Sequence, residues 1–309
     1  MNDHPEVLTI VGPTAVGKTS VGIRVAKEIG GEIVSADARQ VYRGMDIGTA
    51  KPSREETDSV PHHLIDIIDP GDDFSAGIFG KLGREVIAEI TSRGRIPVVI
   101  GGSGLYLRAL LDGLFKGDTK SEAVREKILK EIENNGINEV YRKLETIDKE
   151  YAASISPNDG MRIVRALEVY EITGKTLTEI FAGQVKTPLL NSLTFGLMLV
   201  RELLVKRIEE RIDDMLANGL IDEVRGLIES EQKEALKKIP TIGYSEVIEF
   251  LDGELDEIEM IKKIEKNSRR YAKRQMTWFR ADKRIIWIDI ESVRDPAEEI
   301  IKRWRVERA

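Results

Sequence analysis

The eight residues from Gly12 to Thr19, GPTAVGKT, constrain the fold of this chain more than any other stretch. They match the pattern Gly-x-x-x-x-Gly-Lys-Thr, in which backbone amides and a lysine surround phosphate groups. The pattern has this meaning only between a strand and a helix. Here the apolar run Val7 to Val11 precedes it, and residues Ser20 to Ile29 follow it with helical spacing. We therefore predict a P-loop (residues 12–19) that opens a parallel α/β sheet.

The chemistry of a diphosphate gives each part of this loop a task. The backbone amides, the helix N-terminus and the Lys18 ammonium would converge on the phosphate oxygens. The Thr19 hydroxyl would contact a Mg²⁺ that bridges those oxygens. The predicted diphosphate site comprises Gly12, Pro13, Thr14, Ala15, Val16, Gly17, Lys18 and Thr19. The pattern indicates a phosphate group, and it leaves open whether that phosphate belongs to a nucleotide.

Further strands are predicted at Glu32 to Ala36 and at Ile96 to Ile100, separated by helical spacing from about 78 to 93. In parallel sheets the working loops lie at the carboxyl ends of the strands. Asp37 closes the first of these strands, and a glycine-rich segment with Ser103 follows the second. Three carboxylates follow apolar runs and are candidate metal ligands: Asp37, Asp66 and Asp69. Polar and aromatic residues follow Asp37, which distinguishes it from the other two, although an Asp after a strand is about as often a cap or turn former.

The composition changes near Phe115. From 121 to 181 the chain is rich in Glu, Lys and Ile at helical spacing, interrupted by turn-forming pairs such as Asn135-Gly136. This texture predicts a helical insertion in the α/β core. The predicted division is a P-loop core of residues 1–115 and 191–309, and a helical insertion domain of residues 116–190.

One basic segment stands out in an acidic chain. The formal net charge is -7, but Lys262 to Arg284 contains ten Lys or Arg and two acidic residues. A helix from about 255 to 281 would place one set on the core: Ile261, Ile264, Ser268, Tyr271, Gln275 and Trp278. Its outer face would carry Lys262, Lys266, Arg269, Arg270, Lys273 and Arg280. A face with almost only positive charge favours a phosphate-backbone partner over a solvated surface.

Other residues narrow the prediction further. Arg207 and Arg211 lie one helical turn apart and either neutralise a diphosphate or pair with surface carboxylates. The adjacent His62 and His63 favour a structural role, since neighbouring side chains diverge and no third metal ligand is evident. The chain has no cysteine, which excludes disulfides and thiolate zinc sites and favours the reducing cytoplasm. No apolar run is long enough to span a membrane.

Seven segments, in order along nearly the whole chain, resemble the tRNA dimethylallyltransferase family, also called tRNA isopentenyltransferases: GPTAVGKT, SADARQVYRGMDIGTAKP, HHLID, GGSGLY, NDGMRIVRALEVYEITGK, IGYSE and RRYAKRQMTWFR. The resemblance implies transfer of a dimethylallyl group from dimethylallyl diphosphate to the exocyclic amine of the adenosine 3′-adjacent to the anticodon. The tRNAs modified in this way read codons that begin with U, Mg²⁺ is the cofactor, and diphosphate is released.

The resemblance also implies roles for individual residues. Lys18 and Thr19 would act on the diphosphate, together with Arg211, and Asp37 would be the general base or would orient the amine. The implied tRNA-binding residues are Asp37, Ala38, Arg39, Gln40, Ser103, Arg125, Met161, Arg162, Ile163, Val164, Arg165, Arg270, Lys273 and Arg274. Ala38 stands where relatives usually have Ser, and Ser103 replaces the commoner Thr. The absence of cysteine excludes the zinc finger of the eukaryotic relatives and indicates a bacterial type. We expect a cytoplasmic monomer that binds the tRNA anticodon stem-loop and dimethylallyl diphosphate without a membrane.

Two other functions are compatible with the P-loop and the basic segment. A nucleoside or other small-molecule kinase would use ATP at residues 12–19, although no lid arginines are evident in the sequence. A non-catalytic, NTP-gated RNA-binding protein would bind tRNA in a salt-dependent manner and form no product.

Overall fold

The computed structural model describes residues 6–114, 120–183 and 188–308. The chain divides into two compact units: Met1–Gly113 with Pro188–Ala309 forms unit 1, and Leu114–Thr187 forms unit 2. The predicted division at 115/116 and 190/191 differs from these bounds by two or three residues. None of the helices in the described part of the chain is long and apolar enough to cross a membrane.

Unit 1 contains, among its described residues, one six-stranded sheet in the order β3-β2-β4-β1-β5-β6 with every pair parallel. The strands are β1 (Val7–Val11), β2 (Gly31–Ser35), β3 (His62–His63), β4 (Ile96–Gly101), β5 (Ser192–Met198) and β6 (Ile286–Asp289). The predicted parallel α/β core is confirmed. Because β4 lies between β1 and β2, the loops that follow these three strands meet at one edge of the sheet.

The helices follow the chain from α1 to α15, with α5 to α9 in unit 2 and the others in unit 1. They are α1 (Lys18–Ile29), α2 (Arg54–Ser59), α3 (Ala76–Ser92), α4 (Gly104–Leu111), α5 (Glu122–Asn135), α6 (Ile137–Ile147), α7 (Lys149–Ala153), α8 (Gly160–Thr173), α9 (Leu177–Ala182), α10 (Arg201–Ala217), α11 (Leu220–Glu229), α12 (Lys233–Lys238), α13 (Tyr244–Leu251), α14 (Glu257–Arg280) and α15 (Pro296–Glu307).

The central strand β1 is buried on both faces, as a continuous apolar run in a parallel sheet requires. Its side chains alternate between two cores. Leu8 and Ile10 belong to the cluster that includes residues of α1 and α15, whereas Val7 and Val11 belong to the one that includes residues of α3 and α4. The strand therefore has little freedom to move, and the loop that leaves its carboxyl end starts from a rigid base.

The helix after the P-loop begins at Lys18, two residues before the predicted start at Ser20. Gly17 precedes it with φ 96°, in the left-handed region that favours glycine. Because the chain enters the helix directly from this glycine, Lys18 and Thr19 lie in the first turn of α1. Their position at a helix N-terminus favours a bound anion.

Unit 2 is a helical domain with its own apolar core, which includes Ile128, Leu144, Ile163 and Leu167. The buried Asp148 carboxylate links α7 to α9 within unit 2. It accepts hydrogen bonds from the amides of Tyr151 and Thr178 and from the Thr178 hydroxyl. Buried polar groups of this kind are stable only when they have partners.

Candidate active site

A cavity of about 90 Å³ lies where the loops after β1, β2 and β4 meet. From β1 the chain first crosses to β2 and β4 on one side of β1, and later to β5 on its other side. The carboxyl end of β1 is therefore a topological switch point of the sheet, and α/β proteins bind ligands at such points. The residues that line it include Lys18, Thr19, Asp37, Arg211, Tyr271 and Gln275.

The P-loop is fixed by its glycines and by two helices. Gly12 has φ 151°, and a Cβ added there would lie 2.7 Å from the Leu197 carbonyl oxygen. The Thr14 amide donates a hydrogen bond to Gln275 Oε1 at 2.8 Å, and Arg207 Nη1 donates to the Val16 carbonyl at 3.3 Å. The loop is therefore shaped before any ligand enters.

Two cations meet in this enclosed space. Lys18 Nζ donates a hydrogen bond to the Pro13 carbonyl at 2.8 Å. Burial, and then the charge of Arg211, lower the pKa of Lys18 to about 7, and Asp37 offsets part of this effect. Burial also lowers the pKa of Arg211, again with an opposing effect of Asp37. Such a pair lacks the solvation that cations need, so a multiply charged anion would bind there favourably.

Asp37 follows β2 and lines the same cavity. Its Oδ1 accepts hydrogen bonds from the amides of Arg39 at 2.8 Å and Gln40 at 3.4 Å, which form a turn that holds the carboxylate in place. The nearby Tyr271 phenol has a raised pKa because of burial and the charge of Asp37. Asp37 is thus a fixed carboxylate near two cations and a neutral phenol.

Residues Asp37 to Gln40 make more hydrogen bonds within the protein than the sequence indicated. The Ala38 amide donates to the Ser103 hydroxyl at 3.2 Å, and Arg39 Nη2 donates to the Pro240 carbonyl at 2.9 Å. Gln40 was expected to contact tRNA, but its side chain turns inward. It accepts a hydrogen bond from the Ser35 hydroxyl and donates to the carbonyls of Thr49 and Ala50, so it forms part of the cavity wall.

The basic helix α14 departs from the predicted faces at two residues. Trp278 was placed on the core, but its residue is 42% exposed, and Phe279 is buried instead at 3%. Phe279 lies four residues after the buried Gln275, so the buried row continues through it. Arg269 was placed on the outer face but pairs with Glu209 and Glu265 at 3.2 and 3.1 Å. The basic stripe of α14 is therefore defined by its exposed members Lys262, Lys266, Arg270, Lys273, Arg274 and Arg280.

In unit 2 the expected tRNA contacts differ in exposure, and Arg165 is half-buried and pairs with Glu168 at 2.8 Å. Arg125, Met161 and Arg162 are exposed, and Met161 is 78% exposed. Ile163 and Val164 are instead buried in the unit 2 core, so their side chains present no surface to RNA. They follow Arg162 in sequence, but the helical turn directs them inward.

The other candidate ligands have structural partners. His63 Nε2 contacts Glu32 Oε2 at 2.7 Å, and His62 Nδ1 donates to the Val60 carbonyl at 2.7 Å. Asp66 pairs with Lys51, and Asp69 pairs with Arg43 at 3.0 Å. Across residues 6–114, 120–183 and 188–308, no group of three or more His, Asp or Glu residues could hold a metal ion. A cation at this site would depend on Thr19 and on ligand oxygens.

Sequence reasoning did not identify Tyr271 and Gln275 as site residues, although it placed both on the core face of the helix. A signal was present, because both carry polar groups on an otherwise largely apolar face. Buried polar side chains need partners, and for Gln275 the partners are the loops of the cavity.

The chain is similar to known proteins over most of its length. The family model described as IPP transferase matches residues 40–282, and the one described as isopentenyl transferase matches residues 5–70. The chain is 45% identical to the tRNA dimethylallyltransferase of Geobacter metallireducens, over 93% of each protein. It is 43% identical to that of Geobacillus thermodenitrificans, over 96% of this chain and 93% of the relative.

Two solved structures have the same fold. The tRNA isopentenylpyrophosphate transferase of Bacillus halodurans has a TM-score of 0.71 at 40% identity, with 98% of this chain and 95% of that chain covered. A eukaryotic dimethylallyltransferase that acts on tRNA has a TM-score of 0.81 at 29% identity, with 98% and 80% covered. The similarity therefore extends over both units of the chain.

Proposed function

The chain belongs to the IPP transferase family of prenyltransferases, and on that premise we propose the following reaction for it. The protein transfers a dimethylallyl group from dimethylallyl diphosphate to the exocyclic amine of the adenosine 3′-adjacent to the anticodon, in tRNAs that read codons beginning with U. The observation that carries the proposal is the presence of Lys18, Arg211 and Asp37 in one cavity at the end of the P-loop.

The donor half of the reaction depends on charge. The bond between the prenyl carbon and the diphosphate oxygen breaks, and its electron pair leaves with the diphosphate. Lys18, Arg211 and the amides at the start of α1 stabilise the charge that develops on this leaving group. The preformed shape of the P-loop means that these donors need little reorganisation during the reaction.

The acceptor half depends on Asp37. An adenine amine is a weak nucleophile, so the new carbon–nitrogen bond forms readily only if a proton leaves the amine. The Asp37 carboxylate receives that proton, and the turn at Arg39 and Gln40 orients it. The target base must leave its stack in the anticodon loop to reach the cavity, as enzymes that modify bases generally require.

A divalent cation fits the donor site, and we assign it as Mg²⁺ held by the Thr19 hydroxyl. Mg²⁺ usually binds proteins through one or two side chains together with substrate phosphates, so the lack of a carboxylate cluster among the described residues is compatible with it. When bound, the ion supplies positive charge to the diphosphate oxygens. Thr19 lines the same cavity as Lys18, which supports this assignment.

The tRNA anticodon stem-loop is the proposed macromolecular substrate. In unit 1 it contacts the basic stripe of α14, and in unit 2 it contacts the exposed Arg125, Met161 and Arg162 together with Arg165. Backbone phosphates supply most of the affinity in such complexes. We further propose that the enzyme works as a monomer in the cytoplasm.

The test is incubation of the protein with Mg²⁺, labelled dimethylallyl diphosphate and an unmodified tRNA that reads U-starting codons. We expect label on the adenosine 3′ to the anticodon, and none on a matched tRNA with guanosine at that position. A parallel reaction contains γ-labelled ATP and nucleosides. Phosphoryl transfer without prenyl transfer would establish the kinase alternative, and salt-dependent tRNA binding without either product would establish a non-catalytic RNA-binding protein.

A further inference from the structure

The buried side chain of Gln275 joins two loops of the cavity. Its Oε1 accepts a hydrogen bond from the Thr14 amide at 2.8 Å, and its Nε2 donates to the Gly102 carbonyl at 2.9 Å. Thr14 belongs to the P-loop after β1, and Gly102 belongs to the loop after β4. A single amide on α14 therefore links the ends of two neighbouring strands.

This contact is close and depends on glycine. A Cβ added to Gly102 would lie 2.3 Å from Gln275 Nε2, so the amide packs directly on the backbone. Gln275 is 6% exposed. A buried amide without partners would be costly, and here both of its ends are satisfied. Methionine has a similar volume and would fill this space, so packing alone does not require an amide.

The Gly102 loop leads from this amide to the proposed base. The hydroxyl of Ser103, the next residue, accepts a hydrogen bond from the Ala38 amide, and Ala38 directly follows Asp37. Tyr271, four residues before Gln275 on α14, lines the same cavity as Asp37. The inner face of α14 thus contacts the P-loop and the Gly102 loop through Gln275, and the Gly102 loop in turn contacts the segment that follows Asp37 through Ser103.

We propose that Gln275 is a positioning residue. It sets the distance between the P-loop, which holds the diphosphate, and the Gly102 loop, which faces the acceptor amine together with Asp37. The proposal rests on the function proposed above. Gln275 is not assigned a contact with either reacting atom. Bond formation needs the amine nitrogen and the prenyl carbon in near-attack geometry, where a displacement of about 1 Å costs on the order of 10²-fold in rate.

The experiment compares Gln275→Met with Gln275→Glu, and uses Thr277→Val on the same helix as the control. Thr277 is exposed, and within the described part of the chain its hydroxyl donates a hydrogen bond to the Lys273 carbonyl of the same helix and to no other group. Single-turnover transfer is measured with saturating tRNA and dimethylallyl diphosphate, together with the Kd for inorganic diphosphate and the thermal midpoint. For Gln275→Met we expect the transfer rate to fall by about 10-fold or more, with the diphosphate Kd within about 3-fold of wild type.

The pH profile of Gln275→Glu separates positioning from packing. A protonated carboxyl has the shape of the amide, and can accept from Thr14 and donate to Gly102, whereas the carboxylate cannot donate. The ratio of the wild-type rate to the Gln275→Glu rate should therefore approach one as the pH falls. The ratio of the wild-type rate to the Gln275→Met rate should stay constant. Taking ratios removes those effects of pH that are common to all the proteins.

Two results would overturn the proposal. One is a wild-type transfer rate in Gln275→Met. The other is a loss of transfer rate in Gln275→Met that is accompanied by an equal loss of diphosphate affinity and a lower thermal midpoint, while the ratio of wild-type to Gln275→Glu rates does not approach one at low pH. If wild type and Thr277→Val also fail to transfer label, the proposed function is wrong, rather than the role of Gln275.

Discussion

Lys18 and Asp37 carry the proposed chemistry, and neither acts alone. The lysine has lost much of its affinity for protons through burial and the charge of Arg211, and the aspartate limits that loss. The carboxylate in turn is held by backbone amides of its own turn. At the scale of single residues, the site combines two basic side chains with one carboxylate, and the diphosphate and the amine would be their partners.

We expect Asp37→Asn to lower the single-turnover transfer rate by about 10²-fold or more, the usual scale for loss of a general base. Asparagine retains an oxygen for the Arg39 amide, so the turn and the affinity for tRNA should change little. The matched control is Asp69→Asn, which removes only the surface pair with Arg43. A large loss of tRNA affinity with a normal rate of chemistry would reassign Asp37 to recognition.

The lowered pKa of Lys18, about 7, predicts how the pH changes diphosphate binding. A bound anion stabilises the ammonium and raises this pKa, so binding takes up a proton at any pH between the free and bound values. The contribution of Lys18 to the affinity should then be largest below pH 7 and fall as the pH rises above it. Calorimetry in buffers of different ionisation enthalpy measures the proton uptake directly.

Lys18→Arg is the control for this titration, because a guanidinium remains charged throughout this pH range. Its diphosphate affinity should lose the component of the pH dependence that wild type shows above pH 7. An equal proton uptake by wild type and Lys18→Arg at pH 8 would contradict the assignment to Lys18.

Helix α14 has two different faces. Its inner row carries Tyr271 and Gln275, both in the wall of the cavity, and its outer face carries the basic stripe. The capping box at Asp256 and Glu259 defines where the helix begins, so the phase of both faces is set from that end. At the scale of elements, one helix would serve both proposed substrates.

Reversal of two charges in the basic stripe, Arg270→Glu with Lys273→Glu, should weaken tRNA binding. It should also reduce the slope of log affinity against log salt by about 1–2, because two phosphate contacts are lost. Filter binding across a salt series gives both quantities. The control Lys302→Glu, on an exposed face of α15, should leave the slope unchanged. An unaltered slope in the double variant would mean that the stripe is a solvated face.

The close approach of β4 and β2 predicts the effect of a single methyl group. A Cβ at Gly101 would lie 2.3 Å from the Ala36 carbonyl oxygen, so Gly101→Ala should lower the free energy of unfolding by about 1–3 kcal/mol through strain. Gly226, within α11, has nothing within 4 Å of an added Cβ, and Gly226→Ala should stabilise by about 0.5–1 kcal/mol. Urea denaturation measures both. Equal effects of the two substitutions would show that strain at Gly101 is absent.

In the molecule as a whole, the proposed diphosphate site lies in unit 1 alone, whereas the proposed tRNA contacts include residues of unit 2. The described residues of the P-loop cavity all belong to unit 1, whereas Arg125 and Arg162 belong to unit 2. The double variant Arg125→Glu with Arg162→Glu should therefore weaken tRNA binding, yet leave the Kd for inorganic diphosphate within about 2-fold of wild type. Titration calorimetry with diphosphate and filter binding with tRNA provide the two values. A parallel loss of both affinities would contradict this separation.

Local patterns in the sequence were sufficient for the P-loop, the strand that ends before Asp37 and the helical texture of unit 2. These features depend on the spacing of neighbouring residues, which a single sequence displays directly. The length and charge of α14 were predicted for the same reason. The faces of its last turn were not, because a one-residue difference in phase exchanges Trp278 and Phe279 between core and solvent.

Only the tertiary structure decided which distant residues share the cavity. Tyr271 and Gln275 come from α14, and no spacing along the chain relates them to the P-loop, whereas Arg211 of α10 was expected there from the family resemblance alone. The same applies to Ile163 and Val164, which face a core built from other helices. The physical reason is that parallel strands are joined by long crossovers, so the groups that meet at the ends of the strands are far apart in sequence. The sequence alone determined which phosphate-binding loop forms, and the packing of the sheet and helices around it determined which side chains complete the site.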